Sequence, residues 1–307
     1  MMAYTLRFVV LSAGLVLSVS CSPPPTAPES WTDIAPAENP GWFMNVHATA
    51  IDDRYAVGGT LTDGAMLHFD GESWSSVDLG VDIPLLNWIH GDGTGRYVAV
   101  GNGGTALHFD GAVWTLVETP TEQKLWGVWG STMDDLWAVG GDAFASDDLR
   151  AVILRWDGTS WTEMDAPDPL AVGDLYAWFK VWGSSASDVY IVGQRGAVLH
   201  WDGDALTELD VGVDDDLIAV WGTGPDRVAV VGGRNNGVAA RWNGTDWVSA
   251  TLAPMPGLNG IWMREPDRIH VGGNLGSISI LDFDSLAVVQ EVFLDSDLDV
   301  HALHGSP

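Results

Sequence analysis

One short pattern recurs six times along this chain, and it limits the possible folds more than any other feature. Its clearest copy runs from Val181 to Gly203, VWGSSASDVYIVGQRGAVLHWDG. Val128 opens VWGSTMDDLWAVGG, and Ile153 resumes ILRWDGTSW. Val220 opens VWGTGPDRVAVVGG, followed by AARWNGTDW, and Ile261 opens IWMREPDRIHVGG, followed by ISILDFD. Two divergent copies come earlier: DRYAVGG from Asp53 with MLHFDGESW from Met66, and GRYVAVGNGG from Gly95 with ALHFDGAVW from Ala106. The glycine closing the second segment falls at Gly58, Gly101, Gly140, Gly193, Gly232 and Gly272, in steps of 43, 39, 53, 39 and 40. The long step carries inserts at 142–150 and 166–177.

Each segment has a physical reading as a strand. Lys180-Val-Trp-Gly183 alternates and stops at glycine, while Asp188–Gly193 is rich in β-branched and aromatic residues, as a buried strand requires. Ala197–Trp201 runs into Asp202-Gly203, a tight turn signal, and a tryptophan follows such turns at Trp74, Trp114, Trp161 and Trp247. No such four-stranded unit buries both faces alone, so neighbours must cover them. A period near forty built from four short strands predicts an all-β fold, a β-propeller of six full four-stranded repeats, over residues 42–307.

Closure leaves two options, six blades or seven. Asp299-Val-His-Ala-Leu-His-Gly305 reads as a seventh first strand with nothing after it, and Ser30-Trp31-Thr-Asp33 as an orphan fourth strand. The two termini build a reduced seventh blade, or six blades close and the tail packs outside.

The Asp-Gly-x-x-Trp turn resembles the Asp-box of bacterial sialidase-type propellers and photosystem assembly factors, without the residue between Asp and Gly and without the preceding Ser. Trp156-Asp157 and Trp201-Asp202 resemble WD repeats, without their Gly-His element. These likenesses cover residues 43–294 and imply a propeller. They transfer no functional residues.

Residues 1–20 carry one charge, Arg7, then the apolar run Phe8–Val19, which is short for a spanning helix. The run ends at Ser20-Cys21, followed by Ser22 and three prolines. The arrangement resembles a bacterial lipoprotein signal, with Ser18 where leucine is usual. The resemblance implies a signal peptide over 1–20, lipidation of Cys21, the only cysteine, and a Pro-rich tether over 21–41. The expected location is the bacterial outer membrane or cell surface, touching membrane only through the lipid.

Thirteen basic residues stand against 42 acidic ones, a net charge of −29. Such a surface repels nucleic-acid phosphates and anionic headgroups, and it favours a soluble, monomeric domain. The sequence has no GxSxG elbow, HExxH or P-loop. The eleven arginines mostly sit at repeat positions, unlike a cluster built to grip a substrate carboxylate.

Positions that break the repeat are the functional candidates. Where four copies have Trp129, Trp182, Trp221 and Trp262, the others have His47, His90 and, in the tail, His304. On consecutive inner strands these three imidazoles would converge on a zinc or copper site in the channel. Trp88, Trp126 and Trp178 lie off the commonest tryptophan positions and are candidates for stacking on sugar rings. The alternating Asp295, Asp297 and Asp299, and the run Asp214–Asp216, are candidate calcium loops but lack the EF-hand glycine and final glutamate. His68, His108, His200, Arg155 and Arg241 share one third-strand position, which points to a structural ion pair or hydrogen bond with the turn aspartate. The expected activity is a non-catalytic scaffold for an envelope protein. A glycan-binding propeller is the alternative, and a glycan-cleaving or metal-dependent enzyme is less favoured.

Overall fold

A computed structural model describes residues 41–143, 150–167, 170, 173, 175–294 and 298–305. Cys21, the signal segment, the tether up to residue 40, Ser30–Asp33, Asp295 and Asp297 lie outside them. The described residues form six four-stranded antiparallel sheets, over 42–76, 86–117, 125–163, 178–209, 217–251 and 258–293. Within each sheet the strands follow chain order, so each repeat is one blade of a six-bladed β-propeller.

The inner strands are Trp42–Ala50, Leu86–Gly91, Leu125–Thr132, Trp178–Ser185, Leu217–Gly224 and Leu258–Trp262. The second strands are buried on both faces: Val228 to Gly232 are all buried, which is why they read as β-branched runs rather than alternating ones. The core lies between blades. Val98, Val100 and Ala106 of blade 2 pack on Leu125, Val128 and Leu136 of blade 3. Tyr190 and Val192 of blade 4 pack on Val228 and Val230 of blade 5. The fourth-strand tryptophans reach back to the preceding blade: Trp114 meets Tyr55, Trp247 meets Tyr190, and Trp161 donates its indole N–H to His108 Nε2 at 3.2 Å.

The repeating glycine has a steric cause. A methyl group on Gly140 would sit 2.0 Å from the carbonyl oxygen of Lys124, and one on Gly232 2.0 Å from that of Asp216. The second strand therefore ends against the backbone entering its own inner strand.

The Asp-Gly turns are built alike. Asp157 Oδ1 accepts from the backbone N–H of Thr159 (2.8 Å) and Ser160 (2.9 Å), while Gly158 takes φ +92°. Asp70, Asp110 and Asp202 do the same, and Asn243 serves blade 5 with two bonds of 2.9 Å. The turn needs an acceptor, not a charge. Asp157→Asn is therefore expected to leave the melting temperature unchanged, whereas Asp157→Ala lowers it by about 2–4 °C. Scanning calorimetry on the two variants checks this.

The third-strand basic residues find other partners than the turn aspartate. His68 pairs with Asp53 (2.8 Å), His200 with Asp188 (2.7 Å) and Arg155 with Asp135 (3.0 Å), each at the start of the second strand. The direct cross-strand partners are Tyr55, Tyr190 and Trp137, and each aspartate lies two residues earlier on the same face, within diagonal reach; the turn aspartate spends its carboxylate on the turn. Blade 2 has Arg96 and blade 5 has Arg227 where that aspartate would be. His108 then takes the Trp161 indole, and Arg241 donates to the backbone oxygen of Asp284 (2.9 Å).

The tail does not pack outside the ring. Residues 298–305 run between blade 6 and blade 1. Val300 and Leu303 join a cluster with Trp262 and Ile278 of blade 6. The Val300 N–H donates to Gly273 O at 2.9 Å, and the backbone at Gly260 lies against Ala302. On the other side, the Ala48 N–H of blade 1 donates to His304 Nδ1 at 3.2 Å. Six blades are complete, and the tail fills a seventh inner position without forming a sheet of its own.

Candidate functional site in the central channel

The inner strands bring one side chain per repeat to the channel wall, and each reaches for the next repeat. His47 Nε2 lies 3.1 Å from both the N–H and the C=O of Gly91. His90 Nε2 donates to Gly130 O at 2.9 Å. The Trp129 ring covers Gly183 and the Trp182 ring covers Gly222, where an added methyl would sit 2.6 and 2.5 Å from the rings. Trp221 donates its indole N–H to Met263 O at 3.2 Å. Trp262 covers Gly305, and His304 accepts from Ala48. Seven contacts close a circle, and the seventh depends on the tail. A small residue follows the ring residue in most copies because its neighbour lies on top of it.

The three histidines do come together. Ring centroids are 5.5 Å apart for His47 and His90, and 4.5 Å for His47 and His304. Burial pushes His90 and His304 down to about 4. Burial, then the neighbouring His304 and His90, hold His47 well below its usual value. All three are therefore neutral at pH 7.

Their geometry does not fit the expected zinc or copper site. With Nδ1 accepting from Ala48, neutral His304 carries its proton on Nε2 and presents no lone pair to an ion. Among the described residues no group of three or more His, Cys, Asp or Glu side chains is arranged to hold a metal. In the candidate calcium loops, Asp299 Oδ1 accepts from the Leu275 N–H (3.1 Å), and Asp216 is paired with Arg234.

The three candidate stacking tryptophans separate. Trp178 is 1% exposed and belongs to the core between blades 3 and 4, so its ring has no open face. Trp126 is half-buried and donates to Gly141 O at 2.9 Å. Trp88 lines the channel, with Lys180 Nζ 4.3 Å above its ring.

Lys180 escaped the sequence reading as a site residue. It rises from the inner strand of blade 4, donates to the backbone oxygen of Trp126 (2.6 Å) in blade 3, and reaches Trp88 in blade 2. Burial pushes its amine down to about 7. The channel around these groups is narrow, with about 20 Å³ of free space bounded by Asn45, His47, Trp88, His90, Lys180 and His304 among others. That is room for a water molecule or one small head group, not for a sugar ring.

No protein-family profile and no curated protein matches the chain. Solved structures do. The WD40 β-propeller domain of Doa1 superposes with a TM-score of 0.67 at 9% identity, covering 86% of each chain. A structure of YCF48 bound to D1 peptide superposes with a TM-score of 0.58 at 17% identity, covering 79% of this chain and 78% of that one. At these identities the likeness establishes the propeller fold alone.

Proposed function

We propose that the chain is a non-catalytic protein-binding scaffold, held at a bacterial envelope through a lipid on Cys21. The supporting observation lies in the turns between second and third strands, which share one end of the ring. In blade 2 this turn has Gly103 at φ +64°. At the matching positions blade 4 has Arg195 at φ +56° and blade 6 has Leu275 at φ +58°. A side chain in this region costs about 1–2 kcal/mol that glycine does not. Leu275 is also 61% exposed, and Leu61, in the turn of blade 1, is 63% exposed. Strained, exposed, chemically varied side chains on an otherwise regular turn are what a docking face carries and what folding does not need.

Two further facts support the reading. YCF48, of the same fold, is described as bound to a peptide. The Ser20-Cys21 junction after an apolar run accounts for the only cysteine in the chain. Glycan stacking has less to use, since only the half-buried Trp88 and Trp126 remain for it.

The double variant Arg195→Gly/Leu275→Gly is expected to melt about 2–4 °C higher than the native chain, yet to lose its partner when both are used to capture proteins from envelope extracts. Cys21→Ser is expected to keep the partner but move from the detergent phase to the aqueous phase. Equal capture by the native chain and the double variant would remove the turns from the proposal. An unchanged detergent partition of Cys21→Ser would remove the anchor.

A further inference from the structure

The inner-strand position two residues before the ring residue is occupied by Asn45, Trp88, Gly127, Ala219 and Gly260 in five blades, and by Ala302 in the tail. Only blade 4 places a charge there. Lys180 is one of just two lysines in the chain; the other, Lys124, is paired with Asp142 at 2.8 Å.

Among the described residues no carboxylate lies within ion-pairing distance of Lys180, in a protein with 42 acidic side chains. Its ammonium has three N–H groups. One is bound by Trp126 O and the indole face of Trp88 takes part of the charge, so a third donor is left for the channel. The ionisable groups facing it are His301 of the tail, whose own protonation the lysine disfavours, and the channel histidines His47, His90 and His304. All are bases, and none neutralises it. A half-buried cation with a donor left unpaired is a feature that folding selects against. An uncharged residue would fill the same place at lower cost, as in the other blades.

We propose that Lys180 makes the central channel an anion site that takes one carboxylate head group against its remaining N–H, beside Trp88. Three observations define the ligand. The unsatisfied group is a donor, so the ligand is an acceptor. The local charge is positive while the protein is acidic overall, so a compact monoanion fits better than a larger, multiply charged one. The free space is about 20 Å³, so only the head group enters. The carboxylate belongs either to a free small acid or to a polypeptide end presented at the channel mouth. This inference does not depend on the docking turns.

The presence of only two lysines makes the test direct. The full chain labelled with [ε-13C]lysine gives two side-chain resonances, of which Lys180 titrates near neutrality. Sodium formate is expected to shift the Lys180 signal saturably and to raise its midpoint by about one pH unit, corresponding to a tenfold preference for the ammonium form. The Lys124 signal is expected to stay in place. A short peptide with a free carboxyl terminus, compared with its amide, separates the sources. Movement with formate alone assigns a free acid, and movement with the free peptide but not the amide assigns a polypeptide end.

If neither probe moves the Lys180 midpoint, or if Lys124 moves equally as in a plain salt effect, the site does not exist. Lys180→Met provides a second check, because the formate-dependent change in tryptophan fluorescence is expected to vanish with it. Its persistence in a folded Lys180→Met protein places the anion elsewhere and overturns the assignment.

Discussion

A chain ending at Leu298 is expected to lose its cooperative thermal transition and to elute as aggregate rather than monomer. The tail contributes little chain but closes the ring. Val300 and Leu303 are 8% and 7% exposed and pack on Trp262 and Ile278. Deleting them bares that cluster and the opposite face of blade 1, where Phe43, Val46, Ala56 and Leu67 are buried. It also removes Gly305 from beneath Trp262 and the acceptor of the Ala48 N–H. Two apolar blade faces then meet water, and each is complementary to the other on a second molecule. A milder variant grades the effect: Leu303→Ala is expected to cost about 2–4 kcal/mol by chemical denaturation, as for other buried leucines. If the truncated chain is monomeric and melts within about 2 °C of the native chain, six blades close unaided and the seventh position is dispensable.

Much of this was legible in the sequence because propellers repeat their physics. The glycines at 58, 101, 140, 193 and 232 end against the backbone entering the inner strand, and in blade 6 Gly273 takes that contact while Gly272 lies against Val300 of the tail, so the glycine spacing revealed the architecture. The substitution of histidine at 47, 90 and 304 was equally visible, and the structure does bring those rings together. What alignment could not show is what each nitrogen is bound to. The acceptors are backbone atoms of Gly91 and Gly130, and the donor to His304 is the Ala48 N–H. Backbone partners leave no trace in a sequence.

Trp178 was misread although a signal existed. It stands four residues before the ring residue, in register with Phe43, Leu86, Leu125, Leu217 and Leu258, all of them buried. An apolar residue in every copy is a core position, whatever its size. Lys180 is the converse case. Its register is small, polar or aromatic elsewhere, so the charge itself was the anomaly, but its reach across two blades depends on side-chain direction.

Between pH 7 and pH 4 the protein is expected to lose about 3–6 kcal/mol of stability, enough to bring a marginal domain close to unfolding. The sign follows from the histidines at the closure. His90 and His304 titrate at about 4 when folded, against 6.5 when exposed. Within that window the unfolded chain binds more protons than the native ring, so stability rises with pH. It is fully present above about 6.5 and is lost as pH falls toward 4, by about 3 kcal/mol for each group at the limit. His47, packed against both, shifts in the same direction. His108, His270 and His301, also depressed by burial, add to the same slope from outside the cluster. The depressed carboxylates of Asp53 and Asp188 act lower, below their usual value of 3.8. Urea titrations across this range, repeated on His90→Gln, separate the contributions. Glutamine keeps a donor for Gly130 O but does not titrate, so its profile is expected to be flatter while stability near neutrality changes little. A native profile that is level from pH 7 to 4.5 would show that the closure histidines take up protons as readily in the folded ring as in the unfolded chain. The His304 lone pair would then not be holding the Ala48 N–H, and the circle of seven contacts would be wrong at its seam.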